Sequence, residues 1–233
     1  MTLPNWSNKT AIVIASGPSL TDEQCEAARA SGFDTIVVNT TFRRVPWANI
    51  LYAGDFLFWK CYMAEIVRVF PGKLWTQDSS AAARWPKLNR MKGVNREGLG
   101  KNMIHLNGNS GVQALNLAYL FGSRRIILLG FDMKLGPNGE RHHHADHPAP
   151  MVQNQTFEEW LHKLNKVARD LEAEKCEVLN ATSGSAMTCF PMVDWREVLV
   201  MPTPEPKPGD RILLTNQTNP EDNRVRIVGE PVR

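Results

Sequence analysis

The chain has 233 residues, 42% of them apolar, and its 27 basic and 24 acidic side chains leave a net charge of +3. That length suits one α/β domain, or one domain with an appendage, and the apolar share allows a full core. No apolar run approaches the ~20 residues that span a bilayer, and so mild a charge neither demands nor excludes a nucleic-acid partner.

Met1 to Thr10 is polar and leads directly into a strand, which predicts no signal peptide. Thr10 to Ala15 reads as a short buried strand. Ser16-Gly17-Pro18-Ser19-Leu20 follows, and Thr21-Asp22-Glu23 has the look of a helix start. Strand, small-residue turn and helix is the arrangement that cradles a phosphate or nucleotide, although this turn is neither G-x-G-x-x-G nor a Walker loop. Thr35 to Val38 is a second strand ending at Asn39-Thr40-Thr41. Asn49 to Ala53 is a third, ending at Gly54-Asp55. Asp55 either caps the helix marked by Phe56, Trp59, Met63 and Val67, or faces a ligand at the strand end. Lys73 to Thr76 is a fourth strand. From Asp78 to Asn102 the periodicity dissolves, and Arg84, Lys87, Arg90, Lys92, Arg96 and Lys101 read as a solvated basic loop.

Val112, Leu115, Ala118 and Tyr119 recur at helical spacing. Asn109 or Ser110 is placed to cap that helix, and Gly122 fits just past its end. Ile126 to Leu129 is a continuous apolar run, as expected of a strand covered on both faces, and it leads into Gly130-Phe131-Asp132. Ser110 and Gly111, at a helix N-terminus, offer backbone N–H groups to an anion. A polar loop from Lys134 to Pro150 carries His142, His143, His144, Asp146 and His147. Phe157 to Leu171 marks an amphipathic helix of about six turns. Cys176 to Leu179 is a further strand ending at Asn180, and Asp194 to Val200 a short last helix. Met201 to Pro208 is a proline-spaced linker. The tail beyond it is expected to form a hairpin or extended arm that packs on the core or on another subunit, which predicts a homo-oligomer. Cys25, Cys61, Cys176 and Cys189 have no C-x-x-C spacing and are expected as free thiols in a reducing cytoplasm.

Alternating strands and helices predict a mostly parallel sheet with helices on both faces over residues 1–200, with 201–233 as linker and tail. Ser16 to Ser19, Asn39, Asp55, Ser110, Asp132 and Asn180 then converge on one sheet edge. His142, His144, Asp146 and His147 spell H-x-H-x-D-H, similar to the metal motif of the metallo-β-lactamase superfamily. That fold needs further downstream ligands, and only His162 follows, so the string reads instead as the source of a general base. The four residues are the candidate set should a divalent ion bind.

Ile14 to Leu20, Val38-Asn39, Asn109 to Val112 and Leu129 to Asp132 resemble the signature blocks of the small bacterial sialyltransferases of glycosyltransferase family 42. They are equally similar to the family that joins motility-associated glycosyltransferases and archaeal-type 6-hydroxymethylpterin diphosphokinases. The His-rich loop and Thr188-Cys189-Phe190-Pro191 also resemble proteins of tailed bacteriophages. The resemblance covers about residues 10–192. It implies a Rossmann-like fold and a glycosyltransferase using a nucleotide-activated sugar in the cytoplasm, that of the host if the chain is phage-encoded. Gly17, Pro18, Ser19, Asn39, Asp55, Ser110 and Gly111 would hold the nucleotide. His147, then His144, would be the base, with Asp132 beside it as the third catalytic candidate. No cofactor is expected on this reading. The diphosphokinase branch implies ATP-dependent pyrophosphoryl transfer with Mg²⁺ or Mn²⁺ at Asp55 and Asp132. A third alternative is a nucleotide-binding protein without catalysis. The chain departs from the sialyltransferases at Ser16, where they carry Asn, and in lacking counterparts of their loop tyrosines.

Overall fold

The computed structural model describes residues 3–145, 151 and 156–200. Strand β1 is Thr10–Ile14, β2 Asp34–Val38, β3 Ile50–Tyr52, β4 Lys73–Thr76 and β5 Leu88–Arg90. Two short strands follow, β6 (Gly93–Val94) and β7 (Ile104–His105), then β8 (Arg125–Leu129) and β9 (Glu177–Asn180). The connecting helices are α1 (Asp22–Ala30), α2 (Phe56–Val69), α3 (Ser79–Arg84), α4 (Ser110–Leu120), α5 (Phe157–Ala173) and α6 (Trp195–Val198), with a 3-10 helix at Asn39–Arg43.

Seven strands form one sheet in the order β5-β4-β3-β2-β1-β8-β9. Every neighbouring pair is parallel. This is the expected Rossmann-like α/β architecture. The strand order reverses between β1 and β8, so a crevice opens there beyond the carboxyl ends. Successive side chains of a strand point to opposite faces, and the two cores divide accordingly. Ala11, Val13, Ile36 and Val38 share one core with Leu115, Ala118 and Leu164. Ile12, Ile14, Val37 and Leu51 share the other with Ala28, Trp59 and Ile66. Helix α4 is apolar on almost every side because it lies deep against the sheet, with Gly111 to Tyr119 all buried.

Helix starts follow from single side chains. Thr21 and Gln24 form a reciprocal capping box at α1. Asp78 accepts from Ala81 N at α3, and Asp194 from Arg196 N at α6. Gly122, with φ +102, ends the turn after α4.

The stretch read as a solvated loop is more ordered than expected. Asp78 starts α3, and Leu88–Arg90 adds the outer strand β5 in register with Leu74–Thr76. Strands β6 and β7 pair separately. Elements of two or three residues carry no readable period, and their conformation is set by the partner strand. Helix α5 has 17 residues, which is under five turns rather than six. Among the described residues no helix is long and apolar enough to cross a membrane. The four cysteines are free, with Cys25 and Cys176 buried. The linker and tail, and the assembly expected of them, lie outside the described residues.

Candidate functional site

The turn after β1 is zipped to the turn after β8. Ala15 N donates to Leu129 O at 2.9 Å, and Gly17 N to Gly130 O at 2.9 Å. Ser19 N donates to Asp132 Oδ1 at 3.0 Å. Glycine is required at position 17 by this close approach. A Cβ there would lie 1.8 Å from Asp132 Oδ2 and 2.5 Å from Gly130 O. Asp132 is 5% exposed, and its Oδ2 has no hydrogen-bond partner among the described residues. Burial pushes its carboxyl above the usual range, against the bonds from Ser19 that lower it. Two non-glycine residues at these strand ends have positive φ, Asn39 at 52° and Met133 at 52°. Asparagine tolerates that region; methionine there stores strain of the kind that gathers at functional sites.

At the start of α4 the cap is Asn109. Its Oδ1 accepts from Gly111 N at 2.8 Å and from Val112 N at 3.2 Å. The Gly111 N–H assigned to an anion from the sequence is therefore already bonded. Ser110 N–H has no partner among the described residues, which leaves it as the donor at this helix end. The space that a side chain would take at Gly111 is already occupied. A Cβ there would meet Asn109 Oδ1 at 3.0 Å and the Phe131 ring at 3.1 Å.

A cleft of about 470 Å³ lies beyond the carboxyl ends of the strands. Gly17, Pro18, Asn39, Asp55, Ser110, Gly111 and Asp132 all line it. Ser19 does not, and acts through its bond to Asp132. Asn180 is buried elsewhere, accepting from Thr182 N and donating to Met187 O. Its loop supports Phe131, whose N–H donates to Thr182 Oγ1 at 2.9 Å and whose carbonyl accepts from Ser185 Oγ at 2.6 Å. Sequence reasoning missed Gln77, Gln113, Lys134, Arg141, Phe157 and Trp160, which line the cleft as well. Helical spacing from Ser110 pointed to Gln113, and Lys134 follows the Asp132 strand end directly. Phe157 and Trp160 were read as core positions; their rings meet edge to face at 5.7 Å.

Asp55 occupies the N-cap position of α2 without making a cap bond. Its surface is exposed, yet the cleft walls around it, and then the charge of Asp78, raise its carboxyl. Lys134 and Arg141 bring positive charge to the same cleft.

The histidine loop straps back over the β1 turn and the 3-10 helix. His142 Nδ1 and Ser16 Oγ are 3.1 Å apart. His143 N donates to Ser16 O at 3.0 Å. Its Nε2 is 3.4 Å from Thr41 Oγ1. His144 Nε2 is 2.5 Å from Thr40 Oγ1 and its Nδ1 2.7 Å from Ala145 O. The rings of His142 and His144 stack with centroids 4.9 Å apart. Burial first, then the nearby His144 and Arg44 charges, lower His143 to about 4. His142 lines the cleft; His144 does not. Asp146 and His147 lie outside the described residues. Among those described, no three His, Cys, Asp or Glu side chains are grouped to hold a metal.

Neither a protein-family model nor a curated protein matches the chain. The chemistry of the cleft therefore rests on its own residues. Among the described residues, hydroxyl and backbone donors, two cations, an aromatic wall, two carboxylates and one imidazole surround a volume that fits a small ligand.

Proposed function

We propose that this protein transfers a glycosyl group from a nucleotide-activated donor to a hydroxyl-bearing acceptor. One observation carries the reading: all but Ser19 of the residues expected to hold a nucleotide line a single cleft beside the reversal of strand order. Lys134, Arg141 and the Ser110 N–H would stabilise the leaving phosphate. Phe157 and Trp160 offer a stacking surface for the base. His142 would take the acceptor hydroxyl's proton as its oxygen bonds to the anomeric carbon. The bond from that carbon to the phosphate oxygen breaks, the nucleotide leaves with the electron pair, and the proton passes from the imidazole to solvent. His142 is preferred to His144 because it lines the cleft and His144 does not.

The test is nucleotide release from CMP-, UDP- and GDP-activated sugars, with and without a chelator. Release that persists in chelator supports the reading. The second reading is pyrophosphoryl transfer from ATP, favoured by Asp55 and Asp132 lining one cleft. Two carboxylates would hold Mg²⁺ only with phosphate oxygens and water completing its shell. AMP formed from ATP only when Mg²⁺ is present would favour this second reaction.

A further inference from the structure

We propose that Asp55 and Asn95 form a base-reading pocket that selects guanine as the base of the bound nucleotide. The inference deepens the nucleotide reading above and rests on it. The aspartates that follow β3 and β4 both stand at helix starts, and they behave differently. Asp78 accepts from Ala81 N at 2.7 Å, as an N-cap residue does. Asp55 holds the same position at α2 and makes no cap bond. Its carboxylate has no hydrogen bond or ion pair among the described residues, and it lines the cleft. The backbone that presents it is held on both sides of the turn. Trp59 Nε1 donates to Ala53 O at 3.1 Å, and Gln77 Nε2 donates to Gly54 O at 3.0 Å.

Gln77 joins this turn to the segment that carries Asn95. Its Oε1 lies 2.8 Å from where a Cβ on Gly93 would stand, and Leu106 Cδ2 lies 2.9 Å from the same point. Leu106 N donates to Val94 O at 3.1 Å. Trp160 Nε1 is 3.7 Å from the position of a Cβ on Gly108. Asp55, Gln77, Asn95, Leu106, Gly108 and Trp160 thus border one end of the cleft. Strand β3 lies two strands, roughly 10 Å, from β1. A nucleotide with its phosphates at Gly17 and Lys134 would reach this end with its base. The Asn95 side chain is exposed and has no bond among the described residues. A carboxylate only accepts, and it does so with two oxygens side by side. Guanine presents two adjacent donors, N1–H and the 2-amino group, next to an acceptor, O6. Asp55 takes the donor pair, and Asn95 Nδ2 donates to O6. Adenine and cytosine each present one amino donor beside a ring nitrogen that accepts. The N3–H of uracil lies between two carbonyls. All three set an acceptor against the carboxylate.

Isothermal titration calorimetry of the full chain with GDP, CDP, UDP, ADP and inosine diphosphate tests the assignment. GDP is expected to bind tightest. Inosine diphosphate, which lacks the 2-amino group, should bind about tenfold more weakly. Asp55→Asn should lose GDP by about tenfold or more and take xanthosine diphosphate in its place, because the amide donates to the 2-carbonyl of xanthine while still accepting from N1–H. A thermal melt confirms that the variant is folded. Binding of CDP, UDP or ADP as tight as that of GDP, or equal affinity for GDP and inosine diphosphate, overturns the proposal in the wild type alone. GDP affinity unchanged in folded Asp55→Asn, or lost without the gain of xanthosine diphosphate, overturns it as well. Tight binding of a nucleotide other than GDP leaves the nucleotide reading standing and removes the guanine assignment. Binding of none of the five removes both.

Discussion

Replacing Gly17 with alanine tests how closely the turn after β1 is fitted to the strand end beside it. The new Cβ would stand 1.8 Å from Asp132 Oδ2 and 2.5 Å from Gly130 O. The first obstacle is a buried carboxylate, and the second is backbone held by its own hydrogen bond to Gly17 N. Neither is the free end of a flexible chain. Overpacking of this kind costs ~1–3 kcal/mol. Displacing the carboxylate also strains the bond from Ser19 N to Oδ1, and a hydrogen bond to a charged group contributes ~1.5–3 kcal/mol. Together the loss is roughly 2–5 kcal/mol, which in a chain of this size lowers the melting midpoint by about 5–15 °C. Denaturant unfolding with a thermal melt measures it. The cause is checked in the Asp132→Ala background, where Gly17→Ala should cost ~1 kcal/mol less or better, the Gly130 contact remaining. An unchanged midpoint, or the same cost in both backgrounds, would refute the argument.

Gly111→Val is expected to lower stability by ~1–3 kcal/mol through the Phe131 ring rather than to block ligand selectively; intact stability with lost nucleotide affinity would contradict this. His143 stays neutral in the folded chain down to about 4, against 6.5 as the ordinary value. Below 6.5 the unfolded state therefore binds the extra proton, and stability is lost as pH falls from there toward 4. Discounted for partial solvent access, the loss is ~1–2 kcal/mol, and unfolding of wild type and His143→Gln across that window should differ by this amount. An identical pH dependence in the two proteins would remove the assignment. His142→Ala should reduce turnover by about 10²–10⁴-fold with nucleotide affinity nearly intact, a far larger effect than His144→Ala; equal effects of the two would undo the choice between them.

Much of the fold was legible because its strands are buried on both faces. Ile126 to Leu129 leaves no periodicity to misread, and Lys73–Thr76 was bounded correctly. Asn109, Thr21 and Gly122 declared the helix ends by capping chemistry alone. What stayed hidden depends on contacts distant in sequence. Strand β5 is a strand because β4 lies beside it. The 3-10 helix begins with Asn39 in a left-handed conformation that no local pattern announces. At the site, strand ends were readable because a parallel sheet gathers them at one edge. Phe157 and Trp160 were not, because a helix that packs on the core and also borders a cleft shows the same apolar stripe for both. The Asn109 cap decides which amide remains at α4, and spacing alone did not distinguish Gly111 from Ser110. The histidine cluster announced a loop with chemistry, but only the folded cleft separates the described histidines, because His142 alone among them lines it.

The central claim is that the cleft at the strand-order reversal binds a nucleotide. A thermal-shift titration with CMP, UDP, GDP, ADP and ATP, each with and without Mg²⁺, tests it most directly. A nucleotide that fits adds ~2.7 kcal/mol at a hundred times its dissociation constant, a rise of roughly 5–10 °C in midpoint for a domain of this size. The account predicts such a rise for at least one of them, reduced in a folded Ser110→Pro variant that lacks the free amide at the start of α4. No rise with any of the five, at millimolar concentration and with either metal condition, would contradict it.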